Sequence, residues 1–359
     1  MTMRLHLRKE LILFIALCVG FAVLPFFVSG DAVLMQLLIL CLIYAIVATA
    51  WDLVMGVAGL FTFGQIAFMA AGAYASAIIS MRLGVSPWLS LIVAGALTAV
   101  VGLVVGLLCL RLEGDYVALL TFAIQLLMAP FIISAWGKWV GTGGNEGLYG
   151  IPPYAIGGFR FTPLDYSPWL YAALGLFIVC MVITYKAIYS NWGRAFVALR
   201  DSPKFAKGLG INEFKYKLLV FALSATLTGF AGAFYAHYTG VLSVRLINGL
   251  DLFLMLLVMQ VVGGMGRFPG AAVGAVVITF INQWLSFADS YRSMVFGAAI
   301  VLLVIFFPQG ILGAIWPDDR SSSGLGGLGK RIQAKVPKRK PKGGAVGDTV
   351  PPKGEEAAT

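Results

Sequence analysis

The chain contains apolar runs too long to be the core of a soluble domain. LILFIALCVGFAVLPFFV from Leu11 and PWLSLIVAGALTAVVGLVVGLLCL from Pro87 carry no charged residue, and a helix needs ~20 such residues to cross the ~30 Å hydrocarbon layer of a bilayer. In that layer each backbone N–H and C=O must find a partner within a helix or a closed sheet. A closed barrel would alternate polar and apolar residues over strands of about ten residues; these runs are continuous. Hydrophobic residues make up 60% of the chain and charged residues 12%, against about half and a quarter in soluble domains, and mean hydropathy is +0.90. The expected fold is an all-α membrane protein, a polytopic helical bundle of about ten transmembrane segments. Their expected positions are 11–28, 32–51, 57–80, 88–110, 116–135, 169–189, 216–239, 250–264, 270–288 and 292–307.

An even number of crossings puts both termini on one side, and the position of basic residues says which. With the termini in the cytoplasm, only Arg82, Lys138, Arg160, Arg245 and Arg292 of the 26 Lys and Arg lie outside. This is a bias of about fourfold in the direction that sets topology. The formal charge of +10 is therefore read by position and does not imply nucleic acid. Residues 1–10 form a cytoplasmic N-terminal stub. The apolar run that follows exceeds the ~7–15 residues of a signal peptide, so it is kept as the first helix. Residues 11–317 form the transmembrane domain, with a cytoplasmic loop at 190–215 and an external loop at 136–168. That external loop is rich in Gly and Pro, as in TGGNEGLYGIPP from Thr142, which suits an ordered cap built of turns. Residues 318–359 are polar, basic and nearly free of aromatics, the composition of a disordered cytoplasmic tail able to touch membrane lipid.

Small residues recur four apart at Gly102/Gly106, Ala67/Ala71/Ala75, Ala225/Gly229/Ala233 and Gly270/Gly274. Helices in lipid associate by close approach, so the spacing implies a compact bundle. GLGGLGKR, Gly324–Arg331, imitates a phosphate-binding loop, but SSS precedes it, Pro337 follows, and Arg331 stands where a hydroxyl would hold magnesium. Without a strand before it and a helix after it, no phosphate cradle forms, and any ATP is hydrolysed by another protein. Cys18, Cys41, Cys109 and Cys180 lie in apolar runs without paired spacing, as packing residues do. His237 reads as a packed ring near the outer end of a span. No catalytic constellation, metal cluster or cofactor site is expected.

Ion-coupled carriers place charges at mid-membrane, where each costs ~2.5–3.5 kcal/mol. Here Asp31, Asp52, Glu113, Asp115, Asp251 and Asp289 fall at expected span ends, which disfavours an autonomous secondary carrier or channel; a membrane enzyme is a third reading. Uncharged polar residues interrupt several spans: Thr62, Gln65, Gln125, Gln260 and Asn282. Each faces either another helix or a wet translocation pathway, and Gln65, in a Gly/Ala-rich span, is the preferred pathway candidate. The Gly pair at 263 and 264 implies a short or re-entrant eighth segment.

The densest cytoplasmic charge lies in RAFVALRDSPKFAKGLGIN, Arg194–Asn212. Arg194–Arg200 continues a helix with one apolar side. Ser202 and Pro203 open a second, short helix, and Gly208 and Gly210 close it. Phe205 and Leu209, four apart, share a face, while Lys204 and Lys207 point elsewhere. Two readings stay open: a docking element, or a surface helix resting on lipid phosphates.

This stretch, extended through Gly240, resembles the permease subunits of branched-chain amino-acid ABC importers, the LivM branch of the LivH/LivM family. GLFTFGQIAFMAAGAYAS from Gly59, RLEGDYVALLTFAI from Arg111, TGGNEGLYGIPP and DLFLMLLVMQVVGGMGRFPGAAVGA from Asp251 agree in order and spacing, so the resemblance covers roughly residues 35–310. It implies a bacterial inner-membrane importer subunit for branched-chain amino acids or a related small polar solute such as urea, an amide or a carboxylate. It also implies partners: two ATP-binding subunits, a second related permease and a periplasmic or extracellular solute-binding protein. The family's E-A-A-x-x-x-G coupling motif falls on Lys204, Phe205, Ala206 and Gly210; the acid and the first alanine are replaced. Ser202, Pro203, Lys204, Phe205, Ala206, Leu209 and Gly210 are accordingly the expected coupling helix.

Overall fold

The computed structural model describes residues 2–28, 31–112, 114, 116–156, 159–162, 165–244, 250–285, 297 and 310. By its contacts the chain divides into Met1–Trp316 and Pro317–Thr359. Apart from residue 297, the tenth expected span lies outside the described residues, as do the Gly324–Arg331 run, the tail, Glu113, Asp115, Arg245, Asp289 and Arg292.

The helices are α1 (Thr2–Val28), α2 (Ala32–Asp52), α3 (Gln65–Leu83), α4 (Pro87–Cys109), α5 (Tyr116–Ile133), α6 (Ala135–Val140), α7 (Ser167–Tyr189), α8 (Asn191–Asp201), α9 (Pro203–Gly208), α10 (Glu213–Thr239), α11 (Leu250–Gly263) and α12 (Gly270–Trp284). Among the described residues, six are long and apolar enough to cross a membrane: α2 with its continuation to Val57, α3, α4, α5, α7 and α10. α11 and α12, at 14 and 15 residues, are shorter than a full crossing. Starts are marked by local chemistry. The Asp31 carboxylate accepts from the Val33 and Leu34 N–H groups at the head of α2, and Pro87 and Pro168 stand in the first turns of α4 and α7, where a missing N–H costs nothing.

Two boundaries differ from the sequence reading. α1 begins at Thr2, so residues 2–10 belong to the helix instead of preceding it as a stub. The third span begins at Gln65, not at residue 57. The intervening AGLFTFG is non-helical, and the reversal of direction uses Gly59 at φ +70. α2 itself runs on as a π-helical turn, Leu53–Val57. Asp52 is therefore not at an exposed span end; it is 3% exposed.

α2 and α10 form the centre, each about two thirds buried in its span (67%), whereas α5 buries 22%. α10 packs on α4, α3 and α2, and α2 packs on α12 and α7. The contacts follow the small residues. A Cβ on Gly72 of α3 would overlap the Gly229 backbone of α10, one on Gly102 of α4 would press on Ala225 and Phe221, and one on Gly274 of α12 would meet α11 at Met259 and Gly263. Backbones in such contact gain dispersion along their length, the main attraction between helices where the surroundings are already apolar. Leu89, Ile92, Val100 and Val104 of α4 and Leu119, Leu127 and Phe131 of α5 are exposed, as lipid-facing side chains should be. Threonines inside the spans return their hydroxyls to the preceding turn, as Thr49 does to Ala45 O (2.7 Å) and Thr184 to Cys180 O (3.0 Å).

At the end opposite α8 and α9, the 136–168 segment holds α6 and three short strands. β1 (Leu148–Tyr149) pairs antiparallel with β4 (Val241–Leu242), and β2 (Ala155–Ile156) with β3 (Phe159–Arg160). His237 of α10 fastens this segment to the bundle. Its Nδ1 lies 2.7 Å from Pro152 O, and a carbonyl only accepts, so Nδ1 carries the proton. Nε2 then accepts, 2.8 Å from Ser76 Oγ. Tyr154, fully buried, stacks on Phe234 and packs on Trp169 and Trp88.

Two outcomes are expected. Gly72→Ala, which forces a Cβ into α10, lowers detergent-solubilised stability by about 1–3 kcal/mol, while Gly175→Ala, where a Cβ meets open space, is neutral or stabilising by up to ~1 kcal/mol; thermal unfolding of the two variants compares them. His237→Ala raises the rate of limited proteolysis within 141–162 by about tenfold, consistent with losing roughly 1.4 kcal/mol of attachment, and cleavage kinetics measure it.

Candidate functional site

The basic stretch folds as two helices with different attachments. α8 is amphipathic and held down: Gly193, Ala195, Phe196 and Leu199 are buried, and Phe196 packs in a cluster with Leu53, Val54 and Val57 of the π-turn and Val220 and Phe221 of α10. Its start is capped by Ser190 Oγ, which accepts from Trp192 N–H at 3.1 Å. α9 is displayed: among its side chains Ala206 is buried, while Phe205 is 68% and its neighbour Leu209 67% exposed. Two large apolar side chains four residues apart, one on the helix and one at its C-cap, are thus left without cover.

The ends of α9 are specified by backbone geometry. Ser202 is extended at φ −155, ψ 91, as an N-cap should be, but its side chain makes no capping bond. Pro203 removes one orphan donor, and Ala206 N–H reaches the Ser202 carbonyl at 3.0 Å. At the other end Ile211 N–H donates to Ala206 O (3.1 Å) and Gly210 N–H to Lys207 O (2.9 Å), with Gly210 at φ +82. This is a complete Schellman closure. Gly210 supplies the left-handed residue, and Gly208 is simply the last helical one. Glu213 at the head of α10 ties α9 back, accepting from Lys207 and, at 2.5 Å, from Lys217. Between these helices, the 58–61 turn and the start of α5 lies a cavity of about 670 Å³ whose walls include Arg200, Lys204, Lys207, Lys217, Phe61 and Leu112.

Four of the polar candidates, Thr62, Gln65, Gln125 and Gln260, are buried and Asn282 is half-buried; Thr62 and Gln260 meet one turn of α2 directly and Gln65 meets it through Ser224. Thr62 is 1% exposed; it lies in the non-helical segment before α3, where its carbonyl accepts from Trp51 Nε1 at 2.7 Å and its Oγ1 from Gly64 N–H. Gln65 donates through Nε2 to Ser224 Oγ (2.9 Å) and to Thr228, and Ser224 Oγ donates in turn to Ala50 O (2.7 Å). Gln260, fully buried on α11, donates to Asp52 Oδ1 at 3.3 Å. Ala50 thereby holds Gln65 through Ser224, Trp51 holds Thr62 and Asp52 holds Gln260. Gln125, 2% exposed on α5, lies one turn from Phe122, which packs on Phe63 and Phe253. Asn282 stands apart on α12, with Nδ2 3.6 Å from Met255 Sδ. Among the described residues no group of His, Cys, Asp and Glu is arranged to hold a metal.

Sequence reasoning passed over Asp52, Ser224 and Arg200. Asp52 accepts from Gly266 N–H at 2.7 Å, and Arg200 Nη1 donates to Gly56 O at 2.9 Å. An ionisable residue between Trp51 and Leu53, with apolar residues on both sides, was the signal available, because such a group in a span needs a named partner.

The comparisons with known proteins agree with this architecture. A family model described as branched-chain amino acid transport system / permease component matches residues 33–304. The high-affinity branched-chain amino acid transport system permease protein LivM of Escherichia coli is 28% identical over 337 residues, 88% of this chain and 78% of that one. A probable branched-chain amino acid transport permease protein LivM of Methanocaldococcus jannaschii is 24% identical, covering 68% and 75%. The high-affinity permease protein LivH of Escherichia coli is 29% identical over a shorter stretch, 38% and 44%. No solved structure matches. A multi-pass helical bundle with a displayed helix at its basic end, matched by that family model over most of its length, belongs to the branched-chain amino acid transport permease family.

Proposed function

We propose that this chain is the membrane subunit of an ATP-driven importer for branched-chain amino acids or a chemically related small polar solute. The basic end carrying α8 and α9 faces the cytoplasm, and the 136–168 cap faces a soluble solute-binding protein outside. Two ATP-binding subunits and a second, related permease complete the assembly. ATP closing the paired ATP-binding subunits would displace the docked helices and rock the bundles between inward and outward access.

The observation that carries this reading is α9: uncovered Phe205 on the helix and Leu209 at its C-cap, ahead of a Schellman stop and fixed to the bundle through α8. A helix that served only as a connection would bury that face or make it polar. Lys204 and Phe205 replace the acid and small residue of the family motif, so the partner's cleft is expected to offer an acidic or neutral wall and an apolar recess. Thr62, Gln65, Gln125, Gln260 and Asn282 remain the candidates for the pathway, Gln65 foremost. It would exchange its bonds to Ser224 and Thr228 for solute or water as α3 and α10 part.

The test is reconstitution of the chain with its ATP-binding subunits, second permease and receptor. Labelled leucine should accumulate with ATP present and not without it; ion-driven flux through this chain alone would instead establish an autonomous carrier. Within the assembly, Phe205→Asp should bring receptor-stimulated ATP hydrolysis down to its basal rate with membrane insertion unchanged. Gly210→Val should do the same, because φ +82 costs a β-branched residue about 1–2 kcal/mol. A Cβ at Gly210 meets open space, so Gly210→Asn, which tolerates that conformation, should retain most of the stimulation.

A further inference from the structure

We infer that Arg200 and Asp52 form a latch through which displacement of α8 and α9 is passed into the membrane interior. This rests on the proposed importer function and assigns two positioning residues to it. Arg200 stands at the last turn of α8, next to the start of α9. Its guanidinium reaches across to the π-turn that ends α2, donating from Nη1 to Gly56 O at 2.9 Å, while Nε holds Asp201 at 3.0 Å. Its aliphatic stem lies against Gly59, where a Cβ would overlap it. A cation at the carbonyl end of a helix is also favoured by the helix dipole.

Four residues earlier, on the inner side of the same turn, Asp52 continues the chain of contacts. Its Oδ1 accepts from Gly266 N–H at 2.7 Å and from Gln260 Nε2 at 3.3 Å, which binds α2 to both α11 and the turn joining α11 to α12. Gly56 and Gly266 lie backbone to backbone: a Cβ on Gly266 would stand 2.9 Å from Gly56 O, and one on Gly56 would overlap both Asp52 and Gly266. The π-turn is thus gripped from two sides, by Arg200 on its carbonyl and by the α11–α12 turn on its carboxylate. π-turns are rare and recur at functional sites, and this one joins α2 to the segment that Arg200 holds, so it is the element placed to shift when α8 moves.

The inference distinguishes a hydrogen-bond latch from a charge effect. In the reconstituted assembly, Arg200→Ala and Asp52→Leu should each lower solute moved per ATP hydrolysed by about fivefold or more. Asp52→Asn, which keeps an acceptor for Gly266 N–H, should stay within about twofold of the native ratio. The Arg200→Ala/Asp52→Leu double variant should be no worse than the poorer single one, because the two residues act through one element. A native ratio in Arg200→Ala, equal damage from Asn and Leu at position 52, or additive losses would each overturn the latch. A second measurement needs no transport. Spin labels on Lys204→Cys and Met265→Cys, both exposed positions, should give one narrow distance in the purified chain that broadens in Arg200→Ala; an unaltered distribution overturns the latch. Absence of ATP-driven uptake by the native assembly would defeat the importer reading alone, since the spin-label distances judge the latch separately.

Discussion

The end of α2 is the constraint from which much of the arrangement follows. A helix that stops within or near hydrocarbon leaves carbonyls without intrahelical partners, and in that environment each must be met by protein. Here the polar groups of one short stretch are met from different elements: Ala50 O by Ser224 of α10, Gly56 O by Arg200 of α8, and the Asp52 carboxylate by α11 and the turn after it. Trp51 adds the reverse bond, donating to Thr62 O just before α3. Satisfying one helix end therefore fixes the positions of four others relative to it.

These bonds need the backbones to be close, and the small residues provide that. Gly72 against Gly229 brings α3 onto α10, and Gly56 against Gly266 brings the π-turn onto the α11–α12 turn. Larger side chains at either contact would hold the elements apart by more than a hydrogen bond can span. Packing and polar satisfaction are in this sense one requirement, and a translocation cycle that parts α3 from α10 must break both together. The Gln65–Ser224–Thr228 bonds are the polar side of that interface, which is why Gln65 is at once a structural residue in this conformation and a candidate for solute contact in another.

The helical class, the positions of most spans and the two-part form of the basic loop were legible in the sequence, because hydrocarbon thickness and end-capping chemistry act locally. The Phe205/Leu209 face and the Gly210 stop could be read from spacing and residue type alone. The non-helical AGLFTFG before α3 was not, because its residues are apolar enough to continue a span, and only the tertiary bonds of Thr62 and Phe63, the latter donating to Thr121 Oγ1 at 2.9 Å, account for its shape. Asp52 was misread as a span-end acid for the same reason. The π-turn that buries it is stabilised by partners 144 or more residues away in sequence, and periodicity carries no information about contacts of that range.

The charges around α9 bear on what would dock there. Lys207 and Lys217 are held by Glu213, and Arg200 by Asp201 and the Gly56 carbonyl. Lys204 has no acidic partner among the described residues, and it stands one residue from the exposed Phe205. Pairing exposed charges within the chain contributes little stability; one Glu213 carboxylate serves two lysines, so a net positive charge remains there as well as on Lys204 beside the apolar face. A surface composed this way discriminates more than it binds. Apolar burial of Phe205 and Leu209 would supply the affinity, and a basic wall opposite Lys204 would be rejected by the repulsion of an unpaired charge on removal from water.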